Sequence, residues 1–348
     1  MLAGAGIVEG EVEPNPGSQV SAPASPSVAV IVRTKDRPQF LERALTDVFA
    51  QTYRGFRVVI VNDGGNPEQV KAVLGRLPNA DRGLVTVVNH ESSRGMEAAS
   101  NSGIRSCDST YIAIHDDDDL WHPEFLKRTV RHLENCSDAG VVVRTNIRYE
   151  EIVDGEIRET GSEPFWANIQ QISLGEMLQV NRAVPISFLY RRSLHEELGY
   201  YDEKMDVCGD WEFNIRVLSR HPIGFLDGEP LAFWSQRPAA SGTDANSIFD
   251  KAEDHRRFDR RVRDEYLRKD LTQGGLGILL EVSRLMADQR ELLLENQRRM
   301  DAMQAQLTDA LNHLEDTVTH RTSFSGLLRR GSTAAAALRS ALLRKPRP

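Results

Sequence analysis

Between residues 28 and 115 the chain alternates short apolar runs with amphipathic segments, and this alternation restricts the fold more than any other feature. The runs 28–32, 56–61, 84–89 and 111–115 are rich in Val and Ile, as strands covered on both faces require. Between them, 39–50, 67–74 and 95–105 have helical spacing. The order predicts an α/β fold: a mostly parallel sheet flanked by helices and joined by right-handed crossovers. Ligands of such sheets sit beyond the carboxyl ends of the strands.

Three polar clusters fall at those ends: Arg33-Thr34-Lys35-Asp36, Asn62-Asp63-Gly64-Gly65, and the four aspartates Asp116, Asp117, Asp118 and Asp119. Four unpaired carboxylates within a few ångströms repel each other, and a hard divalent cation with oxygen ligands relieves that repulsion. Mg²⁺ or Mn²⁺ shares its remaining positions with substrate phosphates, which points to a nucleotide-bound donor. The competing reading is a solvated acidic loop that caps the next helix. A dinucleotide-binding domain is excluded, because RTKDRP stands where GxGxxG would follow the first strand.

The 348 residues, 40% hydrophobic and 27% charged, suit a globular protein of about two domains. Cys107, Cys136 and Cys208 form no CxxC pair, which fits a reducing cytoplasm. The chain shows neither a membrane-spanning apolar run nor a secretion signal, so a cytoplasmic location is expected. Net charge is -8, yet residues 321–348 hold seven basic residues and no acid, which leaves -8 - 7 = -15 on the rest. The acidic body argues against nucleic-acid binding. The leucine-interleaved basic tail suits peripheral contact with the anionic inner face of a membrane, or is simply a solvated end.

Residues 1–27 are rich in Pro, Gly, Ser and Ala and are expected to be disordered. Downstream, the sequence predicts a helix from Pro123 to Leu133, a strand over 140–143, a hairpin turning at Asp154-Gly155, and a short helix capped by Ser173 and Glu176. It further predicts an extended segment over 185–190, a helix opening at Gly209-Asp210-Trp211-Glu212, strands over 223–226 and 231–234, a polar loop over 235–247, and a charged helix over 249–269. From Leu279 the pattern becomes heptad. Leu279, Met286, Leu293, Met300, Leu307 and Leu314 recur every seven residues, with Val282, Gln289, Asn296, Met303 and Ala310 on the alternate seam. That spacing predicts a coiled coil and a homo-oligomer through 279–318, with Asn296 favouring an in-register parallel dimer. The expected divisions are a catalytic domain over 28–272, a coiled coil over 273–320 and the basic tail over 321–348.

The segments VAVIVRTKDRP, QTYRGFRVVIVNDGG, SSRGMEAASNSGI, YIAIHDDDDLWHP and CGDWEFNIRVL, in this order, resemble family 2 glycosyltransferases of the GT-A fold over residues 28 to 247. The resemblance implies inverting transfer of a sugar from a nucleoside diphosphate. It implies that Asp116 and Asp118 are the outer members of a DXD motif, with Asp118 on the Mn²⁺ or Mg²⁺ ion and Asp116 or Asp117 on the donor ribose or a metal-bound water. Asp63 would accept a hydrogen bond from a uracil or thymine imide, favouring UDP or dTDP donors. Arg33 and Thr34 would line the base and ribose, Arg94 would reach the pyrophosphate, and Asn101 would lie on the ribose side. Asp210 would be the general base, with Glu212 as second candidate or acceptor contact. A helix start lowers a carboxylate pKa, so Asp210 is expected to be ionised. Asp119 is expected to cap the next helix, and His115 and His122 to be structural.

Two departures stand out. Asp36 takes a place often held by Asn, and the loop after Trp234 lacks the histidine that serves some relatives as a metal ligand. Arg237 in that loop is left to contact phosphate or to tie the loop down. The reading is a cytoplasmic, metal-dependent glycosyltransferase acting on a saccharide or lipid-linked acceptor in surface polysaccharide or glycoconjugate synthesis. A nucleotidyltransferase and a non-catalytic scaffold are the alternatives.

Overall fold

The computed structural model describes residues 27–238, 252–273, 277–322 and 324–342. The expected disordered segment 1–27 therefore lies outside the described residues except for Ser27, as do 239–251 of the polar loop and charged helix and 343–348 of the tail. Two compact units divide the chain, Met1–Ile278 and Leu279–Pro348.

The first unit opens with β1 (Val28–Thr34), α1 (Pro38–Phe49), β2 (Phe56–Asp63), α2 (Pro67–Arg76), α3 (Asn79–Arg82), β3 (Val85–His90), α4 (Met96–Arg105) and β4 (Tyr111–Asp116). Strands β4, β1, β2 and β3 are parallel neighbours, as the alternation predicts. Helices cover both faces of this sheet. Val28, Val30 and Val32 of β1 share a core with Leu41, Leu45 and Val48 of α1, while the intervening Ile31 lies beneath Gly103 of α4. This two-sided burial explains why the strands read as continuous apolar runs.

β5 (Leu120–Trp121), α5 (Phe125–Glu134), β6 (Gly140–Val143), β7 (Thr145–Val153) and β8 (Glu156–Pro164) follow, then α6 (Leu174–Met177), β9 (Phe188–Arg191), α7 (Leu194–Leu198), α8 (Gly209–Leu218), β10 (Ile223–Leu226) and β11 (Ala232–Gln236). The main sheet has the order β10-β6-β9-β4-β1-β2-β3, with β9 antiparallel to both β4 and β6. A second sheet, β5-β11-β7-β8, was not expected. The aspartates join the two sheets: Asp116 ends β4, and β5 begins at Leu120.

Local signals hold where their chemistry is specific. Asp154 and Gly155 both have positive φ, 54° and 80°, as a tight two-residue hairpin turn requires. The Ser173 hydroxyl accepts the Glu176 amide at the start of α6. The extended segment expected over 185–190 instead begins with a 3₁₀ turn, Pro185–Ser187, because Pro185 presets φ and the Ser187 amide donates to the Val184 carbonyl at 2.9 Å. Strands β1 and β2 also run two residues past their apolar cores, taking Arg33, Thr34, Asn62 and Asp63 into the ladder.

A charged helix, Ala252–Gln273, closes the first unit. The long helix Gly277–Thr322 carries the heptads, and a further helix spans Phe324–Leu342. Within the second unit the apolar heptad side chains are exposed, from 46% at Val282 to 67% at Met300. No described helix is long and apolar enough to cross a membrane.

Two glycines test the packing. A Cβ on Gly103 would fall 2.4 Å from Ile31 Cγ2, whereas one on Gly75 meets nothing within 4 Å. Gly103→Ala is expected to cost about 1–3 kcal/mol through overpacking, and Gly75→Ala to stabilise by roughly 0.5–1 kcal/mol. Urea unfolding of both variants measures the difference.

Candidate active site

The site begins at the carboxyl ends of β1, β2 and β4. Here three loops are knitted together. Asp36 has φ 52°, a left-handed conformation that Asp tolerates, and its Oδ1 accepts the Asn66 amide at 2.7 Å. Gly64, at φ 76°, brings its backbone so close to the next loop that a Cβ would lie 2.2 Å from the Ser93 nitrogen. Asp63 closes the arrangement. Its Oδ1 pairs with His90 Nδ1 at 2.7 Å and accepts the Arg94 amide at 2.8 Å; its Oδ2 accepts from the Ser93 hydroxyl at 2.7 Å and the Gly95 amide at 3.0 Å. Burial opposes its charge, but these bonds, the His90 one foremost, hold the carboxyl below its ordinary range. A carboxylate has about four lone-pair sites, so Asp63 anchors the 93–95 loop, and a base imide could bind it only by displacing one of these donors.

The four aspartates are not an unpaired cluster. Arg33 holds Asp116 through Nε at 2.8 Å. Arg37 and the Thr34 hydroxyl, the latter at 2.6 Å, hold Asp117, which is fully buried. Asp118 lies between Arg37 and Arg237 and is 7% exposed. Arg237 also pairs with Glu150 at 3.3 Å, and Arg43 bridges Glu150 at 2.7 Å and the Asp118 carbonyl at 2.5 Å. Asp119 does not cap α5, whose N-cap is Glu124; its Oδ1 accepts the Ser235 amide at 2.8 Å and fastens β11. Arg237, 1% exposed and stacked over Phe40, ties the loop after β11 to the acids.

This arrangement decides how a metal would fit. Asp118, expected on the cation, is clamped by two guanidiniums, both at its Oδ2. Among the described residues, no three acids, histidines or cysteines at this point lie close enough to share an ion. The set fits a metal poorly and fits arginine pairing well. Asp116, with 26% of its side chain exposed, is the acid placed to meet a ligand. Burial shifts the charge balance further. It pushes Asp117 up to about 6 against Arg37, and it holds Asp119 well above the carboxylate range, with Asp118 adding to the shift. Arg37 and Arg237 outweigh burial at Asp118 and keep its carboxyl low. Five arginines (33, 37, 43, 148 and 237) thus face six acids (116–119, Glu150 and Glu159).

Other expected residues take different places. Asn101 is buried, and its amide pairs with the Tyr201 amide at 3.1 Å and carbonyl at 2.9 Å, so it clamps the segment before α8 instead of lining a ribose. The Arg94 side chain is half-exposed and reaches Glu203 at 3.2 Å. Arg33, expected at the base and ribose, bonds Asp116 and the Ser100 hydroxyl, the latter at 3.2 Å. Glu212 chelates Arg216 one turn on, at 2.9 Å, and accepts from the Tyr266 hydroxyl at 2.9 Å, which leaves it no role as a base. His115 is buried against Trp121 and His122 is bound by backbone groups, as expected.

Asp210 opens α8. Asn181 donates to its Oδ2 at 2.7 Å, and Trp211 is pinned through Nε1 to the Met177 carbonyl at 2.6 Å. Burial raises the Asp210 pKa despite help from the Trp211 amide and Asn181, so the expected lowering by the helix start is overturned. Desolvation outweighs the dipole here.

The residue that the sequence did not reveal is Glu97. It is 5% exposed, accepts the Gly209 amide at 3.0 Å through Oε1, and leaves Oε2 without a hydrogen-bond partner. A Cβ on Gly209 would fall 2.3 Å from Glu97 Cγ and Oε1, so the Glu97 carboxyl occupies the side-chain space at 209. Burial pushes it up to about 7, Arg33 opposes, and Asp210 and Asp116 add to the rise. Arg33 and Glu97 therefore link the aspartates to Asp210. Only a glycine at 209 signals this in the sequence, and glycine has many causes.

The sequence profile of Glycosyl transferase family 2 matches residues 29–199. An uncharacterized glycosyltransferase, YwdF of Bacillus subtilis, is 28% identical over 201 residues, covering 56% of this chain and 69% of that protein. Among solved structures, TarS 1-349 of S. aureus in complex with UDP-GlcNAc matches at a TM-score of 0.53 and 16% identity, over 69% of this chain and 66% of that one. The mannosyltransferase PcManGT of Pyrobaculum calidifontis, in complex with GDP-Man and Mn²⁺, matches at 0.51 and 18% identity, over 91% and 81%. The fold is shared.

Glu97 makes a pH test possible. A carboxyl whose folded pKa is raised from 4.5 to about 7 contributes against folding once ionised, so stability present below pH 4.5 is lost as pH rises to 7. The loss attributable to Glu97 is on the order of 3 kcal/mol. Glu97→Gln should flatten that part of the stability–pH curve, as followed by denaturant unfolding between pH 4.5 and 8.

Proposed function

Because the chain belongs to glycosyl transferase family 2, we propose that it moves a sugar from a nucleoside diphosphate donor to an acceptor hydroxyl with inversion, using Asp210 as base. The observation that carries this reading is the half-buried Asp210 carboxylate, held by Asn181 and joined to the aspartate–arginine cluster through Glu97 and Arg33. A raised pKa makes Asp210 a stronger acceptor for the hydroxyl proton. With one such carboxylate and direct attack by the acceptor, displacement at the anomeric carbon inverts it.

The donor is taken to be a UDP or dTDP sugar, with its diphosphate drawn to the arginines beside Asp116, Arg33 foremost. Asp63 acts through the 93–95 loop that it anchors. Mn²⁺ accompanies the Pyrobaculum relative; here Arg37 and Arg237 occupy Asp118, and no step is assigned to a metal. Glu97 fixes the Gly209 amide and so the entry of α8, which makes it a positioning residue for Asp210. The acceptor is proposed to be a saccharide or lipid-linked sugar, and the basic stretch 321–348 to lie at an anionic lipid surface where such an acceptor is presented.

Two experiments address this reading. Asp210→Asn should leave donor affinity unchanged in calorimetry with UDP, dTDP, GDP and CMP sugars, while release of the nucleotide in the presence of saccharide acceptors falls by roughly 10²–10⁴-fold; full turnover would overturn the base assignment. The heptad face of Gly277–Thr322 is proposed to pair with a second copy of the chain. Truncation after Gln273 should reduce the mass in light scattering to that of a monomer, and an unchanged oligomer would refute the zipper.

A further inference from the structure

At the other end of the main sheet, three side chains of different chemistry converge. His132 lies in the last turn of α5, and Cys136 and Asp138 lie in the connection to β6. Both β4 and β6 run antiparallel to β9, so they share a direction, and the turn entering β6 lies at the opposite end from the aspartates leaving β4. One ligand atom from each of the three residues lies within 4.8 Å of the others, and all three residues are half-buried. No other group of three acids, histidines or cysteines among the described residues does this.

We propose that His132, Cys136 and Asp138 bind a borderline-soft divalent cation, Zn²⁺ foremost, which staples the end of α5 to the β6–β10 edge of the sheet. Nothing in this proposal depends on the transferase reading.

The connection is built to hold these side chains together. Arg191 donates to the Asp138 carbonyl at 2.9 Å, the Leu133 carbonyl at 2.7 Å and the Cys136 carbonyl at 3.0 Å, fixing three points of the turn from behind. The Asn135 amide closes on the His132 carbonyl at 3.0 Å, and the Ala139 amide on that of Pro222 at 3.0 Å. Strand β10 walls one side: a Cβ on Gly224 would fall 2.4 Å from His132 Nε2 and 2.5 Å from Asp138 Oδ2. A larger residue at 224 would push into the pair.

The donor set selects the ion. One thiolate, one imidazole and one carboxylate suit Zn²⁺ or Co²⁺ and are a poor match for Mg²⁺ or Ca²⁺, which prefer oxygen alone. A thiolate and a carboxylate cancel the charge of the cation, and a water can fill the fourth position. On a tetrahedral Zn²⁺, nitrogen and oxygen ligands at about 2.0 Å stand about 3.3 Å apart. His132 Nε2 and Asp138 Oδ2, now hydrogen-bonded at 2.8 Å, need to open by roughly half an ångström. On binding, the cation displaces the Cys136 thiol proton and any proton on His132 to solvent, so binding strengthens with pH.

The test uses the full chain with its affinity tag removed, dialysed against chelator and then titrated with Co²⁺. One equivalent should produce a thiolate-to-cobalt charge-transfer band and tetrahedral visible bands, both abolished by competing Zn²⁺. Cys136→Ser should lose the charge-transfer band, and His132→Gln should weaken binding at least tenfold. Zn²⁺ should raise the melting temperature of the wild type and not of Cys136→Ser, with the chelated proteins matching in circular dichroism. Absence of the band in the wild type, or its survival in Cys136→Ser, would overturn the proposal and leave His132 and Asp138 as a hydrogen-bonded pair.

Discussion

The buried pairing of Asp118 with Arg37 and Arg237 holds together parts of the chain that sequence distance keeps apart. Arg37 follows β1, Asp118 lies between β4 and β5, and Arg237 follows β11, so one carboxylate joins the start of the main sheet to the last strand of the second. Removing charges from water is costly, and a buried carboxylate persists only when partners satisfy it. Glu150 extends the same compensation into β7 through Arg43 and Arg237. The two sheets therefore meet across a network of ions.

That network changes how the aspartate run is understood. Read as four free acids, it calls for a divalent cation; in the fold, three arginines, 33, 37 and 237, pair with its side chains. Asp117 and Asp119 are displaced toward their protonated forms because they are dry and adjacent to Asp118. An arriving diphosphate would meet the guanidinium of Arg33, which holds Asp116, the most exposed of the four acids. Charge-assisted bonds from arginine to phosphate oxygens are strong and directional, so the run can serve anion binding by tuning its arginines.

The parallel sheet, its helices, the hairpin at Asp154-Gly155 and the start of α8 were legible because each rests on local patterning or on a residue with one conformational use. The second sheet was not. Its β5 is two residues long, and β11 pairs with β7 across more than 80 positions, a relation that no window of sequence contains. Site residues divide in the same way. Asp210 was visible through its place at a helix start, yet the direction of its pKa shift was misjudged because desolvation depends on neighbours far along the chain. Asn101 and Glu212 carry the expected residue types, but Tyr201 and Arg216 claim them. Arg37 and Glu97 were overlooked, since a lone arginine or glutamate in a helix or loop looks like solvated surface until its burial is known.

Glu97 shows most directly how a remote element shapes the base. Its carboxyl fills the space that a side chain at position 209 would take, and only glycine there lets α4 and α8 approach so closely. The contact gives the Gly209 amide, one of the orphan donors at the start of α8, a buried acceptor. It also sets a second carboxyl in the same dry region as Asp210, and two such groups resist ionising together. When Glu97 keeps its proton, Asp210 can hold the negative charge with less repulsion; when Glu97 ionises, that advantage shrinks. Arg33, itself bonded to Asp116, acts on both carboxyls, so a ligand that draws Arg33 toward a phosphate would be felt at Glu97 and, through it, at the base.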